Sequence, residues 1–415
     1  MIRKTAVVAI CCVVVSAISA RLLAQDSGDS KESKGPVRIS VRTYGEYTDN
    51  RDSTEDGDST FDFYIQPRLD VESSWAGKDG RMVFYYMPSY RWRSDPNSLQ
   101  NENEWFHDVG VDVNHNAGGV GLRLNELFNY TDDPAVQEGG RTLRSDASFI
   151  YNRVAAGALM DFGRVALADL YGQHRIKRYD KKEVADESDE DSLMGGVYLR
   201  AKLGGKNSAM GIGGEVGEQN YSSAKGLERG FTTAKFVAGL ENAHANLRTS
   251  VRAGIQTVEY DDAALGSDEL PSASASIEYI QTPEREMPGN RFALSASYGL
   301  RESDVYPFAA QKTTAVSALW DMEVVPSSVM LTLSASYRLG EYERDALPAG
   351  GSVDPNTGSL RAVGDETTVV GSLEVVYKVN SNTSLRGAQV YEDVDSDVRP
   401  SFTKNTTRLA LWYEF

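Results

Sequence analysis

The segment FDFYIQPRLDVESSW limits the possible folds more than any other feature of the chain. Phe61, Phe63, Ile65, Pro67, Leu69 and Val71 fall on one face, and Asp62, Tyr64, Gln66, Arg68, Asp70 and Glu72 on the other. Successive side chains of a strand point to opposite faces, so this is a strand with one apolar and one polar side. The alternation continues to Trp75, although an ordinary strand has about five or six residues. A strand that crosses a bilayer at a tilt needs about 9–11.

The same pattern recurs. Met82, Phe84, Tyr86, Pro88, Tyr90 and Trp92 share a face, as do Leu247, Thr249, Val251, Ala253 and Ile255, opposite Arg248, Ser250, Arg252 and Gln256. Val329–Leu339 and Thr367–Tyr377 repeat it. Apolar-out, polar-in segments separated by turn residues are the signature of a transmembrane antiparallel up-and-down β-barrel. The mean hydropathy of −0.41 fits, because half of each strand would face water. No apolar run after the first residues approaches the roughly 20 needed for a spanning helix; the longest is VAAGALM.

Strands are expected at 37–47, 60–75, 81–92, 104–114, 120–130, 143–153, 164–177, 192–203, 208–218, 229–240, 246–259, 270–281, 290–301, 312–323, 329–341, 365–379, 383–393 and 403–415. That makes eighteen, an even number as bacterial single-chain barrels require; indistinct boundaries at 143–177 and 282–311 leave sixteen as the alternative. AGKDG, NHNAGG, GGKN, ENAHA, VPSS and NSN are short connections, whereas TDNRDSTEDGDS, RYDKKEVADESDED and 342–364 are long. The alternation places short turns and both barrel termini in the periplasm, and long loops outside.

The start of the chain sets the compartment. MIRK followed by TAVVAICCVVVSAISA and ARLLAQD has the charged, apolar and small-residue regions of a secretory signal peptide. Residues 1–24 are read as this leader, with Ala20 the alternative to Ala24 as its last residue, 25–36 as a short periplasmic segment and 37–415 as the barrel. Cys11 and Cys12 both lie in the leader, so no disulfide is expected in the exported chain. Without Arg3, Lys4 and Arg21, 40 basic residues face 60 acidic ones. That balance excludes a nucleic-acid partner, which needs a basic footprint.

The ordered segments GEYTDN, FDFYIQPRLDVES, GRMVFYYMPSYRW and GLRLNELFNYTDDP resemble the putative β-barrel porin type 2 family. The resemblance rests on Pro67–Leu69, Tyr86–Tyr90 and Leu122–Phe128, covers about residues 44–135, and elsewhere is one of rhythm. It implies an outer-membrane porin, with some members accompanying exopolysaccharide secretion, and it brings no catalytic residues.

A barrel of 16–18 strands encloses an aqueous channel, and Gln25–Gly35 is too short for a plug domain. The expected function is passive diffusion of small hydrophilic solutes; the alternatives are a polysaccharide-export barrel with secretion-system partners, and a structural or adhesive surface barrel. Arg38, Arg42, Arg68, Arg81, Arg248, Arg252, Arg338 and Arg386, with Asp62 and Asp70, should face the lumen. There they would either guide anions and sugar hydroxyls or brace neighbouring strands. TEDGDS and ADESDEDS read as solvated loop charge, with divalent-cation binding the alternative. Trp75, Trp92, Trp105, Trp320 and Trp412 fit interfacial aromatic girdles, a carbohydrate track being the alternative. Neither G-x-S-x-G nor H-E-x-x-H occurs, and His107 and Asp108, as strand neighbours, should point apart; no enzymatic activity, metal or cofactor is expected. Phe415, Tyr413 and Leu411 resemble the terminal signal read by barrel assembly machinery, and the expected surroundings are outer-membrane lipid and lipopolysaccharide.

Overall fold

Long alternating segments can satisfy their backbone groups inside a bilayer only by pairing on both edges, which forces the sheet to close. In the computed structural model it does, with eighteen strands. The structure describes Pro36 to Phe415 except residues 52, 54–56, 76–78, 97–100, 133–146, 205–206, 223–227, 264, 282–288, 304–307, 344–362 and 399. The expected leader and nearly all of the segment after it lie outside the described residues, as does the first half of TEDGDS.

The strands are β1 (Val37–Thr48), β2 (Thr60–Trp75), β3 (Gly80–Arg93), β4 (Asn103–Ala117), β5 (Val120–Thr131), β6 (Phe149–Asp161), β7 (Ala166–Tyr179), β8 (Glu190–Lys202) and β9 (Ser208–Tyr221). The second half comprises β10 (Phe231–His244), β11 (Leu247–Tyr260), β12 (Ser267–Gln281), β13 (Asn290–Glu302), β14 (Ala310–Val325), β15 (Val329–Glu343), β16 (Val363–Lys378), β17 (Thr383–Ser396) and β18 (Phe402–Glu414). A single helix among the described residues, α1 (Lys182–Ser188), sits between β7 and β8. Each strand pairs antiparallel with its sequence neighbours, and β18 closes on β1 from Ser40↔Glu414 to Thr48↔Thr406. Sixteen strands is thereby excluded. The expected strand at 143–153 is shifted: β6 begins at Phe149, where the ladder with β7 starts, with Phe149 and Tyr151 opposite Tyr179 and Lys177 on the inner face.

One end of the barrel, the turn end, carries tight connections such as Gly118–Gly119, with φ of 56° and 93°. Both values suit a two-residue hairpin of the primed type, where glycine avoids the Cβ penalty. The other, the loop end, carries the longer connections, among them 49–59, 132–148, 180–189 and 344–362. The alternation of faces holds through the ladders. Arg42↔Gln66, Tyr44↔Tyr64 and Glu46↔Asp62 meet on the inner face, where Asp62 and Gln66 are buried. Phe61, Phe63 and Ile65 stand outward and exposed, as do Val251, Ile255, Leu333, Leu373, Leu409 and Leu411. An exposed apolar surface encircling the whole molecule is what a bilayer covers. No described helix is long and apolar enough to cross a membrane.

Candidate functional site: the lumen and its loop-end narrowing

All ten residues expected to line the lumen have the inward register, but they fall into different electrostatic situations. Most are neutralised locally. Arg68 pairs with Asp70 at 2.8 Å, Arg81 with Glu72 at 2.8 Å, Arg252 with Glu241 at 2.7 Å and Arg248 with Glu278 at 3.4 Å. Asp62 accepts from Arg93 at 2.8 Å. Arg338 and Arg386 lie 4.0 and 3.9 Å from Glu366 and Glu374. Arg38 stands opposite Asp70.

Two of these pairs, Arg252–Glu241 and Arg248–Glu278, belong to a longer belt that spacing along the chain could not reveal. Asp169 lies between Arg123 (3.0 Å) and Arg200 (3.7 Å), and Glu241 between Arg200 (3.2 Å) and Arg252 (2.7 Å). Glu278 lies between Arg248 and Arg291 (2.8 Å), and Arg291 reaches Asp321 at 3.5 Å. The belt alternates sign from β5 to β14. Half-exposed pairs of this kind contribute up to about 1 kcal/mol each, so their main effect is to fix strand neighbours and cancel the field.

Arg38 makes no ion pair among the described residues, and neither does Arg42. Its Nε donates to Gln66 Oε1 at 2.7 Å, and among the described residues it has no carboxylate within ion-pair distance. Aromatic rings hold it instead: its guanidinium lies 4.9 Å from the Tyr44 ring and 6.0 Å from that of Trp412. Arg386 covers Trp412 at 4.8 Å, and Arg408 covers Tyr44 at 5.1 Å while donating to Glu46 at 2.8 Å. Tyr44 in turn stacks on Tyr64, with centroids 4.3 Å apart and an interplanar angle of 7°. These rings carry cations rather than an open sugar-stacking face. Trp412 therefore points inward, not into an interfacial girdle, because its register pairs it with inward Arg42 and Ser384; Trp75, Trp92, Trp105 and Trp320 do face outward and are exposed.

Beside this group a recess of about 450 Å³ runs over β17, β18 and β1–β5. Its floor contains Arg91, only 1% exposed, which reaches Asp132 at 2.6 Å and Glu104 at 2.9 Å and stacks over Phe106. A second feature is the part played by the glycine-rich stretch of β9, where the sequence suggested only freedom for the strand to bend. Cβ atoms added at Gly211 and Gly213 would meet the Tyr198 ring at 2.9 and 2.4 Å. The glycines form a bed for that ring, which Arg252 covers at 4.5 Å.

The loop end is narrowed from inside. Helix α1, formed where the sequence suggested mobile acidic loop, sets Val184 against Phe149, Tyr151 and Tyr179 on the inner face of β6 and β7. From the other side, the loop-end portions of β13 and β14 leave the wall and lie against the inner faces of β10–β12. Leu300, Ala309 and Ala310 pack with Phe231, Val258 and Leu270. Glu302 reaches Arg175 of β7 at 2.8 Å, six strands away.

His107 and Asp108 point apart: Asp108 accepts from Tyr85 at 2.8 Å, and His107 meets Tyr86 at 3.1 Å. His174 pairs with Asp191. Tyr413, Leu411 and Leu409 face outward, Tyr413 meets Phe415 edge-to-face at 4.9 Å, and the Phe415 N–H donates to Ile39 O at 2.9 Å.

The chain matches no family model and no curated protein. Among solved structures it is similar to Pseudomonas aeruginosa OccK2 (OpdF) in complex with glucuronate, at 10% identity over 92% of this chain and 97% of that one, with a TM-score of 0.47. It is also similar to Acinetobacter baumannii OccAB4, at 11% over 93% and 100% with a TM-score of 0.46. A BenF-like porin from Pseudomonas fluorescens Pf-5 gives 13% over 92% and 98%, with a TM-score of 0.48. The eighteen-stranded barrel itself stands on the chain's own ladders.

Proposed function

We propose that the protein is an outer-membrane porin-like channel for passive diffusion of small hydrophilic solutes, with a preference for anions. The observation that carries the reading is a closed eighteen-stranded wall, apolar outside and polar inside, in which Arg42 faces the lumen without a carboxylate partner among the described residues. Barrels of this strand number enclose water, and a lumen-facing charge that is not locally cancelled selects the ions that enter. The loop end would face outward and the turn end the periplasm, the outer surface lying in lipid and lipopolysaccharide after insertion by the assembly machinery. The motif series at 44–135 supports placing the chain with the porin type 2 family. Purified protein in planar bilayers is expected to give stable conductance steps that scale with bulk salt and carry more anion than cation. Correctly folded protein that leaves the bilayer silent would overturn the channel reading.

A further inference from the structure

The seam between β12 and β13 is closed at one end of the barrel and open at the other. The two strands pair from Gln281↔Asn290 to Ala273↔Tyr298, and among the described residues the ladder stops there. Both strands nevertheless continue: β12 still pairs with β11 as far as Glu259↔Ser267, and β13 with β14 as far as Glu302↔Ala310. Beyond Tyr298, then, β13 and β14 travel together as a strap and part from β12.

Contacts on the lumen side hold the strap. The Gln256 side chain of β11 accepts from Leu300 N at 3.1 Å and donates to Leu300 O at 3.4 Å, taking the place of a neighbouring strand. The Tyr221 hydroxyl donates to Ser303 O at 2.9 Å, and Arg229 donates to Phe308 O at 2.8 Å. The Phe308 ring meets that of Tyr342 at a tilt, with centroids 5.1 Å apart. Lys312 lies 4.0 Å from Asp268, and Arg175 holds Glu302.

The sequence of β13 is written for a different position. Phe292, Leu294, Ala296, Tyr298 and Leu300 continue one outward apolar stripe, as a wall strand needs, yet Leu300 is buried in the lumen-side cluster. Extending the observed register past Tyr298 would give Ser272↔Gly299, Pro271↔Leu300, Leu270↔Arg301 and Glu269↔Glu302. That zipped arrangement would return Leu300 to the lipid face and restore ladder bonds. Two residues weaken it. Pro271 has no N–H to donate, and Glu269 would stand directly across from Glu302, like charges being unfavourable in that geometry.

We propose that Gly299–Ser303 and Phe308–Thr313 form a two-position strap that either lies across the lumen, latched by Arg175 and Gln256, or zips onto β12 and widens the channel. The two positions exchange one set of hydrogen bonds for another, which is what makes an element bistable rather than gradually deformable. The consequence for conductance rests on the channel reading above, whereas the strap's movement does not.

The test is the double variant Glu269→Cys/Glu302→Cys in the full-length protein. Directly opposed residues of an antiparallel pair lie close enough for a disulfide, whereas in the latched position residue 302 is at β7. Oxidation should form the disulfide, read by mass, and raise single-channel conductance roughly twofold over the reduced protein as the narrowing is relieved. Folded Glu269→Cys/Glu302→Cys protein that forms no disulfide overturns the proposal, and so does a disulfide with no change in conductance. A silent parent channel would remove the channel reading, while disulfide formation alone would still decide the strap.

Discussion

Two adjoining stretches of the lumen wall, which meet where β16 pairs with β17, share a pattern but not a chemistry. Over β17, β18 and β1–β4 the inward residues are Arg42, Tyr44, Asp62, Tyr64, Arg91, Arg408 and Trp412, locked by stacking and by carboxylates. Over β11–β16 the paired charges of Arg248, Glu278, Arg291 and Asp321 run beside serines joined as Ser250–Ser276 (2.8 Å), Ser295–Ser317 (2.7 Å) and Ser334–Ser372 (2.7 Å). Hydroxyls accept and donate without charge and leave room; the stretch from β17 to β4 fills its room with large cations. The period of two builds both walls, and only residue identity makes one a source of field and the other a neutral surface.

The comparison breaks first at Arg91. Replacing it with Met would leave Glu104 with the Ser148 hydroxyl and Asp132 with Arg93 at 3.6 Å, both short of their buried cation, a loss of up to roughly 3–5 kcal/mol. Heat-modified gel mobility should fall well below the parent's midpoint, and a parent-like midpoint would mean that this wall is not held by its charges. Next is Leu411→Arg on the outside of the same wall, which sets a charge against lipid at a cost of roughly 2–4 kcal/mol near the midplane. Assembly into lipid vesicles should drop sharply; efficient assembly would mean that this stripe does not face lipid. The smallest effect belongs to the serine wall. Ser295→Ala/Ser317→Ala removes both partners of one hydrogen bond worth about 0.5–1.5 kcal/mol net, so midpoint and conductance should stay close to the parent's. A large loss there would make the two walls equivalent.

The barrel was legible because a two-residue period survives without any knowledge of neighbours, and β2 alone displays it over its whole length. Which arginines are neutralised was not, since Arg42 and Arg252 look alike along the chain and differ only in what adjacent strands bring beside them. The inward Trp412 was misplaced for a related reason: tryptophan suits an interface and a cation equally, and only its pairing with Arg42 decides. The strap was hidden because β13 carries a wall strand's alternation through Leu300 even where it leaves the wall.

The most direct measurement is the reversal potential across a potassium chloride gradient for the parent, Arg42→Gln and Arg248→Gln. Both variants remove one inward cation, but Arg248 is paired with Glu278 and Arg42 with no carboxylate among the described residues. A lumen field set by the uncompensated wall predicts an anion-selective parent, a clear shift toward cations in Arg42→Gln and, since Arg248 and Glu278 lie in the cancelling belt, a smaller shift in Arg248→Gln. Equal shifts in the two variants, or none in Arg42→Gln, would contradict it.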